Sequence, residues 1–267
     1  MSTFSTCTSS TRPGSPTDGD VLFETDTKSV IIWDGTNWRG YANDGVFIPW
    51  SNNTYSLDFD GTNDYLAIGS TSKLEFTGSF SLSAWIKPDL NKTQYVIDTN
   101  SDGGTGNGYM LRCESNGTVK FWSYSASYLL TSTATVSTSS WNHLVAVKEG
   151  STLRLYINAG TPVTRTDGGF AASDTTNLRI GNSSLFGGYF NGLIDEVSMY
   201  NYALTSANVS SIYNSGTPDN LTSFTPIAHW RMGDNDGGTG SQITDVSPSG
   251  GAIATINGAT FSTTVAP

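Results

Sequence analysis

The sequence predicts an all-β protein built around an antiparallel β-sandwich. Segments of strand length in which apolar and polar residues alternate recur along the chain, and this period of two is typical of strands that bury one face. Only 13% of the 267 residues are charged, and 29 are glycine. That composition, with abundant Ser, Thr and Asn, favours short strands joined by tight turns. Helix is therefore expected to be a minor component.

The N-terminal part divides into two segments. Residues 1–20 are rich in Ser, Thr, Pro and Gly and bury little apolar surface alone, which predicts an extended arm. Residues 21–50 hold two apolar runs around a polar turn and a second turn at Asp34 and Gly35, which predicts a small β-hairpin module. Because isolated hairpins are marginal in water, this module is expected to pack on another surface.

Residues 51–222 are predicted to form the sandwich. In residues 79–86 the apolar side chains alternate to one face and Trp85 points to the other. Turn pairs such as Asn116-Gly117 separate the later strands at the spacing of hairpins. These features predict one main domain of two packed antiparallel sheets.

One short helix is predicted after the last strand of this domain. Thr205 is a suitable N-cap and Gly216 a suitable end. The residues that fall on one apolar stripe are Leu204, Val209, Ile212 and Tyr213. The helix is expected to close the sandwich.

Residues 223–267 have the pattern of opening strands but follow the closing helix. They are too short for a second sandwich. Two alternatives remain open: these strands complete the first domain, or they pair with an edge of another subunit, since an unpaired strand edge is a template for addition.

Five segments occur in the order seen in one family: residues 59–65, 80–86, 141–147, 155–158 and 191–204. In these segments the chain resembles laminin-G-like domains of the concanavalin A-like lectin and glucanase superfamily. The resemblance implies a concanavalin A-like jelly roll. It also implies a recognition module rather than a metabolic enzyme.

Three further segments resemble virion proteins. Residues 12–20 and 33–38 look like a hairpin module of bacteriophage fibre proteins, and the 223–267 segment is similar to tails of marine phage proteins. The resemblance implies a structural protein of a tailed-phage virion surface, such as a fibre, decoration or adhesion subunit. It would attach to other virion proteins through its arm and form a homo-oligomer, expected to be a trimer.

The charge balance excludes two classes of partner. The formal charge is −10, with 13 Lys and Arg. Nucleic acid and anionic membranes need clustered cations, so neither is an expected partner. The chain start lacks a secretory leader and the sequence lacks a long apolar run, so synthesis in a host cytoplasm without membrane insertion is expected. Cys7 and Cys113 are expected to be unpaired thiols.

The sequence favours a non-enzymatic protein. Glycosidases need two carboxyl groups that face one sugar. Asp195 and Glu196 are adjacent on a predicted strand and should therefore point to opposite faces. His143 and His229 lie in apolar strands and are expected to be structural.

Calcium is the candidate cofactor, because hard cations take several oxygen ligands from one tight loop. The laminin-G-like resemblance implies a site formed by Asp60, Asn63 and Asp64 with Asp195 of the closing strand. A second candidate loop contains Asp98, Asn100 and Asp102, which match the first half of a calcium-binding loop. For both loops, carboxylates that cap turns are the alternative interpretation.

Glycan binding needs an aromatic platform on loops at one rim of the sandwich. The candidates are Tyr124, Tyr128, Phe186, Tyr189 and Phe190. Core packing is the alternative for each. Host surface glycans are thus candidate partners. The main alternative function is a free calcium-dependent carbohydrate-binding lectin module, and a glycoside hydrolase is the third.

Overall fold

A computed structural model describes residues 5–8, 11–17, 20–24, 29–33, 38–41, 53–90, 92–99, 108–123, 128–166, 178–218 and 221–267. The chain divides into two compact units, residues 1–52 and residues 53–267. A mostly β architecture with one short α-helix matches the predicted fold class.

The first unit is a four-stranded sheet. Its strands, in spatial order, are β1 (Ser5–Cys7), β2 (Val21–Glu24), β3 (Ser29–Trp33) and β4 (Trp38–Tyr41). Strand β1 runs parallel to β2, and the other pairs are antiparallel. The segment predicted as an extended arm therefore contributes a strand to the sheet of the hairpin module.

The second unit is a sandwich of two eight-stranded sheets. The sheet that we call the back sheet contains β14 (Val163–Thr166), β13 (Thr152–Ile157), β12 (Asn142–Glu149), β7 (Phe80–Pro88), β16 (Asn191–Tyr200), β5 (Ser56–Asp60) and β20 (Thr260–Ser262), with β17 (Ala228–Trp230) also on β16. The front sheet contains β11 (Tyr128–Thr135), β10 (Thr118–Ser123), β9 (Tyr109–Cys113), β8 (Gln94–Asp98), β15 (Arg179–Ile180), β6 (Tyr65–Ile68), β19 (Ala254–Asn257) and β18 (Gln242–Ile243).

The core lies between the two sheets and follows the alternation of the sequence. Phe80, Leu82, Ala84 and Ile86 of β7 are all fully buried in it. The rings of Phe76 and Phe80 stack with centroids 4.6 Å apart. Offset aromatic pairs of this kind add to the burial of apolar area that stabilises the sandwich.

The helix α1 (Ser206–Tyr213) packs on the outer face of the back sheet. Thr205 is its N-cap, and the Thr205 hydroxyl accepts a hydrogen bond from the backbone N–H of Asn208 at 3.1 Å. A second hydrophobic cluster joins this helix to β12 and β13 through Val145, Val147, Tyr156, Leu204, Val209 and Ile212. Among the described residues, no helix is long and apolar enough to cross a membrane.

The C-terminal segment completes the sandwich within its own chain. Strand β20 extends the back sheet beside β5, and β19 pairs with β6 of the front sheet. Trp230 is fully buried in the core, and its indole nitrogen donates to the Ala252 carbonyl at 2.6 Å. Of the two alternatives for residues 223–267, these strands follow the first: they complete the sandwich of their own chain and do not need an edge of another subunit.

We predict that Trp230→Ala lowers the free energy of unfolding by about 3–5 kcal/mol, because it leaves a large cavity in the core. Urea denaturation measures this change. Ile253→Ala, in the same segment but 49% exposed, is the control and should change stability by less than about 1 kcal/mol. Equal small losses in both variants would show that the tail is not part of the core.

Candidate functional site

A β-bulge interrupts the closing strand β16. The register with β7 shifts between Asp195, opposite Trp85, and Ser198, opposite Ser83. Glu196 adopts the left-handed region with φ 45°. One inserted residue turns Asp195 and Glu196 to the same outer face of the back sheet. This corrects the prediction that the two carboxylates point to opposite faces.

Asp195 is fully buried and connects both ends of the sandwich unit. Its Oδ2 accepts from the Asn53 side-chain amide at 2.8 Å and from the backbone N–H of Ala266 at 3.1 Å. Its Oδ1 accepts from the backbone N–H of Glu196 at 2.8 Å. These donors satisfy a carboxyl group whose burial would otherwise be costly.

Glu196 is paired with two basic side chains of the C-terminal segment. The His229 Nε2 lies 2.6 Å from Oε2, and the Arg231 Nε lies 2.9 Å from Oε1. Burial alone would raise the pKa of Glu196, but His229 and Arg231 outweigh it and hold the pKa below its ordinary value. Burial, followed by the Glu196 charge, raises the pKa of Asp195 well above its usual range.

This carboxylate pair is enclosed rather than presented to a substrate. Asp195 is 0% and Glu196 4% exposed, and protein donors occupy their oxygens. His143 is also buried in the stack of Trp85 and Tyr213 rings beneath α1, and burial lowers its pKa to about 3. These groups hold the outer face of the back sheet together.

The structure does not join Asp195 to the Asp60 loop. Asp60 lies opposite Asn191 in the register of β5 and β16. Asp195 is four residues further along, about 13 Å at the rise of a strand. The carboxylates of this loop cap its turn: Asp60 Oδ1 accepts from the Thr62 N–H at 2.7 Å and Asp64 Oδ2 from the Asp60 N–H at 2.9 Å. This corrects the prediction of one shared calcium site.

Asn63 lies in that turn, and its N–H is 3.4 Å from Asp60 Oδ1. Across the part of the chain that is described, no three His, Cys, Asp or Glu side chains are grouped so that they could hold a metal ion. In the second predicted loop, Asp98 is buried at the end of β8, and Asn100 and Asp102 lie outside the described residues.

The outer face of the front sheet carries an aromatic platform. Phe186 is 50% exposed and stacks on Tyr95 and on Trp122, with centroids 6.3 Å apart in each pair and interplanar angles of 13° and 14°. The guanidinium carbon of Arg112 lies 5.7 Å from the Tyr95 ring and 5.9 Å from the Trp122 ring. Three near-parallel rings and one cation therefore lie together on this face, with Phe186 as the exposed ring and Tyr95 only 3% exposed.

The loop that bears Phe186 is positioned by Gly188. Its carbonyl accepts from the Tyr95 N–H at 3.1 Å, and its φ is +74°. A Cβ atom at Gly188 would come within 2.7 Å of the Tyr95 ring. Only glycine allows the backbone to approach the ring this closely in the left-handed region.

Polar groups flank the platform. Glu114 accepts from Arg112 Nε at 2.9 Å and from the Thr93 hydroxyl at 2.8 Å, and it pairs with Lys120 at 2.9 Å. Burial would raise the pKa of Glu114, but Lys120, Thr93 and Arg112 together lower it. An ionised carboxylate held in this way supplies acceptors beside the rings.

A second cation and ring lie on the same face. The guanidinium carbon of Arg179 is 4.3 Å from the centroid of the Tyr65 ring. Arg179 Nη1 donates to Oδ1 of the buried Asn182 at 2.8 Å, which fixes the guanidinium in place.

The predicted glycan-binding aromatics separate into three groups. Phe186 belongs to the platform, and Tyr189 follows it on the same loop and is half-buried. Phe190 is fully buried and packs edge-on against Phe59 in the core, which corrects its assignment to a rim. Tyr124 and the side chain of Tyr128 lie outside the described residues.

Sequence reasoning missed most of the platform. Tyr95, Arg112 and Trp122 lie on strands rather than loops, so a search for rim aromatics passed over them. A signal was present in β9 and β10, where Arg112, Lys120 and Trp122 alternate with core residues. That alternation places them together on the outer face.

The fold is an antiparallel β-sandwich of two packed sheets, and comparisons identify its family. A family model described as the concanavalin A-like lectin/glucanases superfamily matches residues 60–210, more than half of the chain. The chain belongs to this superfamily. No curated protein matches the sequence.

Solved structures are similar to this chain at low sequence identity. A candidate carbohydrate-binding protein from Bacteroides ovatus has a TM-score of 0.61 and 17% identity, over 93% of this chain and 70% of that chain. A SAP-like pentraxin from Limulus polyphemus has a TM-score of 0.48 and 19% identity, over 60% and 82%. The CBM40 of a Ruminococcus gnavus sialidase, bound to α2,3-sialyllactose, has 0.49 and 15%, over 61% and 99%.

We predict that Asp195→Asn changes the pH dependence of stability. A raised pKa means that the folded protein keeps a proton that the unfolded chain has released, so stability falls as pH rises above the ordinary aspartate range. The Asp195→Asn variant has no titrating carboxyl group at this position and therefore lacks this loss of stability with rising pH. Its free energy of unfolding relative to the parent protein should increase from about pH 4 to about pH 8, measured by urea denaturation.

Glu149→Gln is the control for this prediction, because Glu149 is exposed and pairs with Arg154 on the surface. Its pH profile should match that of the parent protein. A constant difference between Asp195→Asn and the parent protein at every pH would contradict the raised pKa.

Proposed function

We propose that the protein is a non-enzymatic carbohydrate-binding module whose binding surface is the outer face of the front sheet. The observation that carries the proposal is the exposed Phe186 ring, stacked with Tyr95 and Trp122 beside Arg112. Sugar rings present apolar C–H faces and polar edges, so a flat aromatic surface with nearby donors and acceptors is suited to them. The carbohydrate-binding description of the similar Bacteroides ovatus protein supports the same function.

The absence of catalysis is part of the proposal. A glycosidase needs two carboxyl groups open to one sugar. The paired Asp195 and Glu196 are buried and occupied by protein donors. On the platform, Glu114 is held by Lys120, Arg112 and Thr93. Incubation with α- and β-linked glycans should yield no new reducing ends, and steady release of sugar would contradict the proposal.

The setting that we propose is the surface of a tailed-phage virion. The separate unit of residues 1–52, whose motifs resemble a hairpin module of phage fibres, supports attachment to other virion proteins and oligomerisation, expected to be trimeric. A free lectin module is the second candidate, because the C-terminal strands add to the two sheets of their own chain. Mass spectrometry of purified particles separates the two: detection supports the virion setting, and absence supports the free lectin.

We predict that Phe186→Ala weakens glycan binding about 2- to 10-fold, because it removes the exposed ring of the stack. A glycan array first selects the ligand, and isothermal titration calorimetry then measures the dissociation constant. Arg154→Ala is the control, since Arg154 lies on the outer face of the back sheet. Unchanged affinity in Phe186→Ala, or no glycan bound by the parent protein, would contradict the proposed surface.

Calcium stays a prediction for the loop of Asp98, Asn100 and Asp102. The same titration with a chelator tests it, because calcium bound at Asp98 would lie on β8, the strand that carries Tyr95 of the platform. Loss of affinity with chelator and recovery with added calcium would support the cofactor. Identical affinity with and without chelator would argue against it.

A further inference from the structure

Three cations lie on one face of an acidic protein. Lys120 of β10 pairs in register with Arg112 of β9, and Arg179 lies on β15 of the same front sheet. Of the residues that the structure describes, two carboxylates lie beside these cations, Glu114 and the buried Asp98, which is opposite Arg179. This group of described side chains, three cations and two carboxylates, therefore carries an excess of positive charge, whereas the whole chain has a formal charge of −10. Such a local reversal of sign favours an anionic ligand.

The three cations differ in how many of their donors are used in hydrogen bonds or ion pairs within the protein. Arg112 donates to Glu114 through Nε and Nη2 and to the Tyr95 hydroxyl through Nη1. Lys120 pairs with Glu114 at 2.9 Å. These two cations therefore serve mainly to build the platform and hold Glu114.

Arg179 is different. Within the described part of the chain, its one hydrogen bond is from Nη1 to Asn182, at 2.8 Å. Its guanidinium stacks on the Tyr65 ring at 4.3 Å, a geometry that orients the planar group and leaves Nε and Nη2 as donors. A guanidinium fixed by a ring and a buried amide is pre-organised to bind a carboxylate through two parallel hydrogen bonds.

Arg179 and the platform are spaced for one extended ligand. Arg179 lies opposite Asp98 on β8, and Tyr95 is three residues away on the same strand. At the rise of a strand, the separation is about 10 Å along the face. An oligosaccharide can place one ring on the Phe186 platform and an acidic ring at Arg179.

We propose that the front face binds an oligosaccharide that carries a carboxylated sugar, with the carboxylate at Arg179 and a neutral ring on the Phe186 platform. This inference rests on the proposed carbohydrate-binding function and adds the class of ligand. The shared chemistry is the sugar carboxylate, which sialic acids and uronic acids both supply. Arg179 sets the specificity, and the stacked rings supply binding that does not depend on charge.

The test uses two pairs of ligands that differ in the presence or the charge of the acid group. Isothermal titration calorimetry compares 3′-sialyllactose with lactose, and trigalacturonate with its methyl ester. The parent protein should bind at least one acid about tenfold more tightly than its neutral partner, because charge-assisted hydrogen bonds are lost in the neutral ligand. The pair with the larger ratio identifies the source of the carboxylate.

Arg179→Gln should bring the ratio of acid to neutral affinity close to one while binding of the neutral ligand persists. Arg154→Gln is the matched control, because Arg154 is an arginine on the outer face of the back sheet. It should keep the ratio of the parent protein. Thermal unfolding of both variants checks that they fold. If Arg179→Gln does not fold, competition by glucuronate against a neutral glycan bound to the parent protein tests the same preference.

The outcomes distinguish this inference from the proposed function. Equal affinity for acid and neutral ligands in the parent protein would overturn the inference and leave the carbohydrate-binding function standing. A ratio that survives Arg179→Gln would overturn the assignment of the carboxylate to Arg179. Failure to bind any glycan would overturn both proposals.

Discussion

The β-bulge at Glu196 is the constraint on which the rest of the sandwich depends. By inserting one residue, it turns two adjacent carboxyl groups to the outer face of the back sheet instead of one. Asp195 then binds Asn53 and the backbone of Ala266, and Glu196 binds His229 and Arg231. Both ends of the domain are thereby fastened to its closing strand. Removing one partner of a buried charged pair is strongly destabilising. The buried groups on the outer face of the back sheet therefore stabilise the fold and are not available to bind a ligand.

Because the outer face of the back sheet is covered, we expect a ligand to bind on the front sheet. Helix α1 and the Trp85 stack pack against the back sheet, and β17 of the C-terminal segment pairs with its closing strand. The front sheet instead presents the rings of the platform together with its cations. In a sandwich, one sheet can thus supply stability while the other supplies a binding surface, and mutations on the two faces should affect different properties.

Alternation along the strands predicted the sandwich, its core and the direction of Trp85, and the cap at Thr205 predicted the helix. The bulge was not predictable, because Asp195 and Glu196 fit an uninterrupted strand and the inserted residue is defined only by pairing with β7. Phe190 was assigned to a rim because a glycine-rich loop precedes it, yet its contact with Phe59 is a tertiary one. The platform was missed because Tyr95, Arg112 and Trp122 come from three strands, whose order in the sheet decides that they meet.

The proposed function places glycans on the outer face of the front sheet. A crystal structure of the protein with the glycan that binds most tightly on an array would locate the bound sugar. A sugar ring should stack on Phe186, with a second ring extending along the face toward Tyr65. Electron density for the glycan on the back sheet or on the unit of residues 1–52, with the front face empty, would contradict it.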